Sequence, residues 1–242
     1  MRNDDLPLPP LMCTDCVLGR LAIYGPTKTA SPDQILSRRR KISTYPPRKT
    51  LLHEGEPLLD IHTIYSGWAY CLRVLSDGRR HILSFLIPGD VFPLVGLYCP
   101  GHTLPFSVKS LTTLSLCTFA ISDMNEVLAS SEQQRASLAG TAHACIAEHS
   151  RRVTDIGQRS AVGRVAQLIL ELERRLSARG LSNDGSFDLP ARQQDLADAL
   201  GLTTVYINRT LDCLRKDRII AFERGQMAIT DFEQLRKIAD EE

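Results

Sequence analysis

The stretch QQDLADALGLTTVYINRTLDCLRKDRII, residues 193–220, decides the reading of this chain. Leu196 and Leu200 lie four residues apart and share one face of a short helix. Gly201 follows at the place where a helix commonly ends on a left-handed residue. Thr203 and Thr204 can cap a second helix, because a hydroxyl oxygen accepts from the open N–H groups of a first turn. On that helix Ile207, Leu211 and Leu214 make one apolar stripe at i, i+4 and i+7. Val205 and Arg209 point away from the stripe, with Thr204 and Asn208 at its flank. Two short helices joined by a glycine turn form a helix-turn-helix, whose second helix can enter the major groove of DNA.

An ordinary helical hairpin with a solvated face is the competing explanation. Against it, the outward face carries Asn and Arg, which can bond base edges, beside a Val that water does not favour. Downstream, IIAFERGQMAIT (residues 219–230) alternates and turns at Gly225, which predicts a two-stranded wing.

Working outward, the 242 residues suffice for one large or two modest domains, and 43% hydrophobic with 24% charged residues marks a globular chain. No apolar run has the length of a membrane span, and the N-terminal MRNDDLPLPP has no signal-peptide core, so a cytoplasmic location without membrane contact is expected. Cysteines in that compartment are thiols or ligands rather than structural disulfides. The net charge of +1 does not advertise nucleic acid; locally, between Thr203 and Arg218, Arg209, Arg215, Lys216 and Arg218 against Asp212 and Asp217 leave that stretch at +2. A footprint that small suits few phosphate contacts per subunit, completed by dimerisation.

Before the motif, Gly55, Gly67, Gly78 and Gly89 are spaced 12, 11 and 11 residues apart, with β-branched and aromatic residues between. Short strands with such turns predict an all-β roll or sandwich, the jelly-roll-like β-roll being the expectation, so that the chain as a whole is of the α+β class. VLSDGRRHI (residues 74–82) predicts a hairpin with Asp77-Gly78 at its tip, and FSVKSLTTLSLCTFAI (residues 106–121) a further strand pair. Ser122 or Asp123 is expected to cap a helix there. A long helix follows over 132–158, on which Leu138, Ala142, Cys145, His149, Arg152 and Ile156 are spaced as a heptad seam. The seam is imperfect, since His149 and Arg152 are polar, and a helix buried within one copy is the competing explanation; paired helices of two copies would supply the two-fold that a palindromic DNA site needs. The expected organisation is an N-terminal segment 1–30, a β-roll sensor 31–122, a linker and dimerisation helix 123–158, and a winged helix-turn-helix 159–242.

This order of parts resembles the Crp–Fnr family of bacterial transcription regulators, its most specific residues being PGD (88–90), GRVA (163–166) and the helix-turn-helix itself. The resemblance covers essentially the whole chain. It implies a homodimeric, sequence-specific regulator of transcription, activator or repressor, with double-stranded DNA, a second copy of itself and RNA polymerase as partners. It also implies a signal received in the β-roll half. Where the family's recognition helix shows a Glu, three residues and an Arg, this chain keeps Arg209 but has Val205. Valine offers apolar contact suited to a thymine methyl, so the half-site should depart from the usual family pattern. Thr204, Val205, Asn208 and Arg209 are the expected base contacts, Arg209 to guanine; Arg192, Gln193 and Thr203 are the expected phosphate contacts.

The signal is open among several readings. Family members that bind cyclic nucleotide carry a Gly-Glu pair and an Arg beside Ser or Thr; residues 89–110 hold Gly89-Asp90 and no Arg, which argues against it. Cys13 and Cys16 stand where cluster-bearing members of the Fnr branch have an N-terminal pair, and Cys117 matches their distant cysteine. A cubane iron–sulfur cluster usually takes four thiolates, and none follows around Ala22; Cys13, Cys16 and Cys117 can equally act as redox thiols. A zinc site would need a second close Cys or His pair, which is absent. Haem or another small effector would draw on His53, His62, His81, His102 or His149. The rival function is a cupin-like β-roll enzyme with an appended DNA-binding domain. For that, His53, Glu54 and His62 have the wrong order and spacing, so no enzyme activity is expected.

Overall fold

The computed structural model describes residues 38–99 and 101–240. Within it, residues 38–73 and 84–146 form one compact unit, and residues 74–83 with 147–240 form the other. The expected α+β class and order of parts are found.

The first unit holds eight strands: β1 (Arg39–Tyr45), β2 (Thr50–Leu52), β3 (Asp60–Ser66), β4 (Ala69–Val74), β5 (Arg80–Leu86), β6 (Val91–Phe92), β7 (Ser107–Ser110) and β8 (Leu114–Ala120); the β4–β5 tip lies in the second unit. They form two four-stranded sheets, β1-β8-β3-β6 and β2-β7-β4-β5, the strand order of a jelly roll. All seven residues of β8 are buried, so the alternation expected of a half-exposed strand is missing there. Cys117 and Phe119 pack with Ile61, Tyr65, Met124 and Leu138 in one core. Trp68 and Phe85 meet edge to face at 6.5 Å among the largest fully buried side chains.

The strand pair expected over 106–121 needs correcting. Both strands exist, but β7 pairs with β2 and β4, and β8 with β1 and β3. Between them Leu111 donates its N–H to the Trp68 carbonyl at 2.7 Å, and the chain crosses from one sheet to the other instead of folding back. Gly67, at φ +83°, makes room for this crossing, since a Cβ there would overlap the Thr113 carbonyl. The PGD turn is closed by its own aspartate: Asp90 Oδ2 accepts the Ile87 N–H at 2.8 Å, and Gly89 donates to the Ile64 carbonyl at 2.9 Å.

Helix α1 (Val95–Tyr98) is a single turn; α2 (Ile121–Ser130) and α3 (Glu132–Gln158) follow β8. Neither Ser122 nor Asp123 caps α2, whose N-cap is Ala120. The Ile121 N–H is satisfied by the Leu59 carbonyl at 3.0 Å, so this end of α2 uses a backbone partner.

The second unit contains α4 (Ala161–Ser177), β9 (Ser186–Asp188), α5 (Gln193–Leu200), α6 (Thr204–Lys216), β10 (Ile220–Glu223), β11 (Gln226–Ile229) and α7 (Phe232–Asp240). Ser160 caps α4 by accepting the Gly163 N–H at 3.0 Å. Val165, Leu168 and Leu172 of α4 meet Leu196 and Leu200 of α5 and Leu211 of α6 in the core of this unit. The expected wing is β10–β11, with Arg224 and Gly225 both at positive φ in its turn; β9 adds a third strand that the sequence reading did not foresee.

Candidate nucleic-acid interface

Helix α5 begins where Asp195 Oδ2 accepts the Arg192 N–H at 2.9 Å, and it ends on Gly201 at φ +65°. Of the two threonines offered as caps, Thr203 serves: its hydroxyl oxygen accepts the Tyr206 N–H at 3.2 Å, and Thr204 is the first helical residue. Ile207, Leu211 and Leu214 are 0–2% exposed and lock α6 onto its unit, together with buried Thr210. The opposite face carries Val205 at 75% exposure, Tyr206 at 42%, and exposed Asn208 and Arg209. Arg209 has no carboxylate partner among the described residues, whereas Arg215 is engaged by Asp212 and by the Phe222 carbonyl. Arg192, Gln193 and Thr203 are exposed along the N-terminal edges of α5 and α6. All seven residues expected to touch DNA therefore lie on exposed or half-exposed positions of one short segment. Tyr206 was missed by the sequence reading; its place next to Val205, off the 207–211–214 stripe, was the available signal.

The seam on α3 needs correction. Leu138 is 3% exposed and packs in the β-roll core, and Arg152 is buried, donating to the Leu83 carbonyl at 2.6 Å and to Glu171 at 2.7 Å. Burial by itself would raise the Glu171 carboxyl, but Arg152 and Arg175 hold it below its usual range. The outward apolar side chains are Ile146 at 66% and Val153 at 73%, seven residues apart. Ala142 and Ile156 are half-buried, and Cys145 and His149 exposed.

The sensor candidates are scattered. Cys13 and Cys16 lie outside the described residues. Cys117 sits in the β-roll core opposite Thr63. Among the described residues no group of three His, Cys, Asp or Glu side chains is arranged to hold a metal. His62 is buried, shares a hydrogen bond at 3.0 Å with the Thr118 hydroxyl, and has its pKa lowered to about 4 by burial, with Lys41 adding and Asp60 opposing. His53 and His102 are exposed and His81 is half-buried. Glu54 pairs with Arg73 at 2.8 Å, and His62 is committed to the interior, so the His53, Glu54 and His62 set is not assembled for a metal.

Residues 163–238 match the model of a Crp-like helix-turn-helix domain, and residues 42–131 that of a cyclic nucleotide-binding domain. The nitrogen fixation regulation protein FixK of Rhizobium meliloti is 30% identical over 187 residues, 77% of this chain and 81% of that protein. The chain belongs to the Crp–Fnr family of transcription regulators. A second relative from this family, the transcriptional activatory protein AadR of Rhodopseudomonas palustris, is 27% identical across 90% of this chain and 89% of its own. The structure of FixK2 from Bradyrhizobium japonicum superposes with a TM-score of 0.74 at 26% identity, over 82% of this chain and 96% of that one. The Crp–Fnr protein described here is a DNA-binding transcription regulator, and none of these likenesses supports the enzyme reading. In its β-roll the Asp90 carboxylate accepts the Ile87 N–H, and no arginine lies between 89 and 110. Among the described residues no helix is long and apolar enough to cross a membrane.

Proposed function

We propose that the protein acts in the cytoplasm as a homodimer reading a two-fold symmetric operator through α6, under a signal received by residues 1–122. The observation that carries this reading is the outward face of α6, where an exposed Asn, an exposed Arg with no carboxylate partner among the described residues and a 75% exposed Val stand together on a helix locked by its opposite face. Arg209 suits a bidentate contact to guanine and Asn208 a second base edge, with Val205 against a thymine methyl and Thr204 beside it. Arg192, Gln193 and Thr203 contact phosphates; the Thr203 hydroxyl, already accepting from Tyr206, still has its proton to donate. The two copies meet along α3 through Ile146 and Val153, burying side chains that a monomer leaves in water. RNA polymerase is the partner that turns DNA binding into regulation.

Selection from a randomised duplex pool tests this: the expected product is an inverted repeat. On it, Arg209→Ala costs about 1–3 kcal/mol and relaxes one base pair per half-site. Unchanged affinity and preference for Arg209→Ala would refute the groove assignment. The signal is tested on protein purified without oxygen. Iron with acid-labile sulfide, lost in Cys13→Ser and Cys16→Ser, supports a cluster; a colourless, metal-free protein leaves thiol chemistry or a small effector.

A further inference from the structure

The tip of the β4–β5 hairpin, residues 74–83, belongs to the same compact unit as the helix-turn-helix. Arg80, the first residue of β5, donates from Nε to Asp198 and from a terminal nitrogen to Asp195 Oδ1 at 3.0 Å. The two carboxylates lie three residues apart on α5, so one guanidinium fork spans a turn of the first helix of the motif. Both are already at work in that helix. Asp195 is fully buried, and its other oxygen takes the Arg192 N–H that caps α5. Asp198 also accepts from the Gln194 side chain at 2.6 Å. A buried carboxylate loses much of its stabilisation when its cation is removed. The neighbouring Arg79 does something different, pairing with Asp77 inside its own turn at 2.6 Å. The hairpin is held a second time by Arg152, which links the Leu83 carbonyl to Glu171 of α4.

We propose that Arg80 is a positioning residue for DNA recognition: it fastens α5 to the hairpin tip and so sets how α6, packed on α5, offers Val205, Asn208 and Arg209. The inference rests on the DNA-binding reading above and adds to it a residue that touches no DNA. Such a residue should alter affinity without altering which base pairs are preferred, and without altering how many phosphates are neutralised.

The test uses the full chain and the duplex that the wild-type protein selects from a randomised pool. Arg80→Ala should bind that duplex about tenfold more weakly, within the usual range for energetic coupling between sites. Its base preferences should be unchanged, and so should the slope of log affinity against log salt. Amide exchange over 196–200 should quicken while that of β3 and β8 does not. Adding Asp198→Asn to Arg80→Ala should recover part of the loss, since one uncompensated carboxylate is gone. Wild-type or tighter affinity for Arg80→Ala overturns the inference, and a salt slope lower by about one makes Arg80 a phosphate contact instead. Should Arg80→Ala fail to fold, Asp198→Asn alone removes one arm of the fork with the cation kept. A loss of about threefold then sustains the inference, within the same coupling range, and wild-type affinity overturns it. If the wild-type protein selects no duplex at all, the DNA-binding reading fails first and takes this one with it.

Discussion

Helices α6 and α3 are both amphipathic, yet one follows its sequence pattern residue by residue and the other does not. In α6 the stripe Ile207, Leu211, Leu214 is buried together with Thr210, and Asn208, Arg209, Asp212 and Cys213 face outward as helical geometry dictates. The helix is 13 residues long, capped by Thr203 and packed within a single unit. Helix α3 runs for 27 residues and passes from one unit into the other. Two positions of its heptad pattern are taken up within the protomer: Leu138 is claimed by the β-roll core, and Arg152 by Leu83 and Glu171. Periodicity tells which residues share a face. When a helix has more than one apolar neighbour, it does not tell which neighbour receives that face.

That contrast can be broken by experiment, starting where the effect should be largest. Arg152→Ala removes one of the two guanidinium groups paired with buried Glu171 and should cost about 3–5 kcal/mol in denaturant unfolding. A cost below about 1 kcal/mol, the level of an exposed pair, would return Arg152 to the surface seam. Leu138→Ala should cost about 2–4 kcal/mol of fold stability, because it empties a core site. If it weakens self-association with the fold intact, the seam as first expected is restored. His62 probes the β-roll apart from either helix. Its folded pKa, about 4, lies below the ordinary 6.5, so the folded state binds fewer protons between those values. Stability should therefore be full above about pH 6.5, fall as pH drops toward 4 and level off below, by roughly 3 kcal/mol at most. His62→Gln should flatten that slope in urea titrations repeated across the window. The smallest effect on folding belongs to Ile146→Glu with Val153→Glu, within about 0.5 kcal/mol for exposed positions. Sedimentation should nonetheless show the doubly substituted protein as a monomer; a dimer that persists would move the interface off this face.

The parts legible beforehand share a physical trait: their signals are local. The Gly201 stop, the Thr203 cap, the Asp77-Gly78 hairpin tip and the length of α3 each depend on residues within a turn or two of one another. What escaped was long-range. The sheet exchange between β7 and β8 depends on the Trp68 carbonyl, more than forty residues earlier in the chain, and Ala120 needs no capping side chain because Leu59 supplies the acceptor. The closing of the 88–90 turn by Asp90, whose carboxylate accepts the Ile87 N–H, was likewise visible only in the structure.

By itself, then, the sequence determined the order of parts and the helix-turn-helix with its outward residues. Each of these follows from backbone propensity and short-range periodicity, or from composition. Only the tertiary structure decided the face of α3 that each unit takes, the burial of Cys117 and His62, and the joining of Arg80 to Asp195 and Asp198. These depend on groups more than a hundred residues apart in the last case, and their meeting is set by packing and by the cost of leaving a buried charge alone.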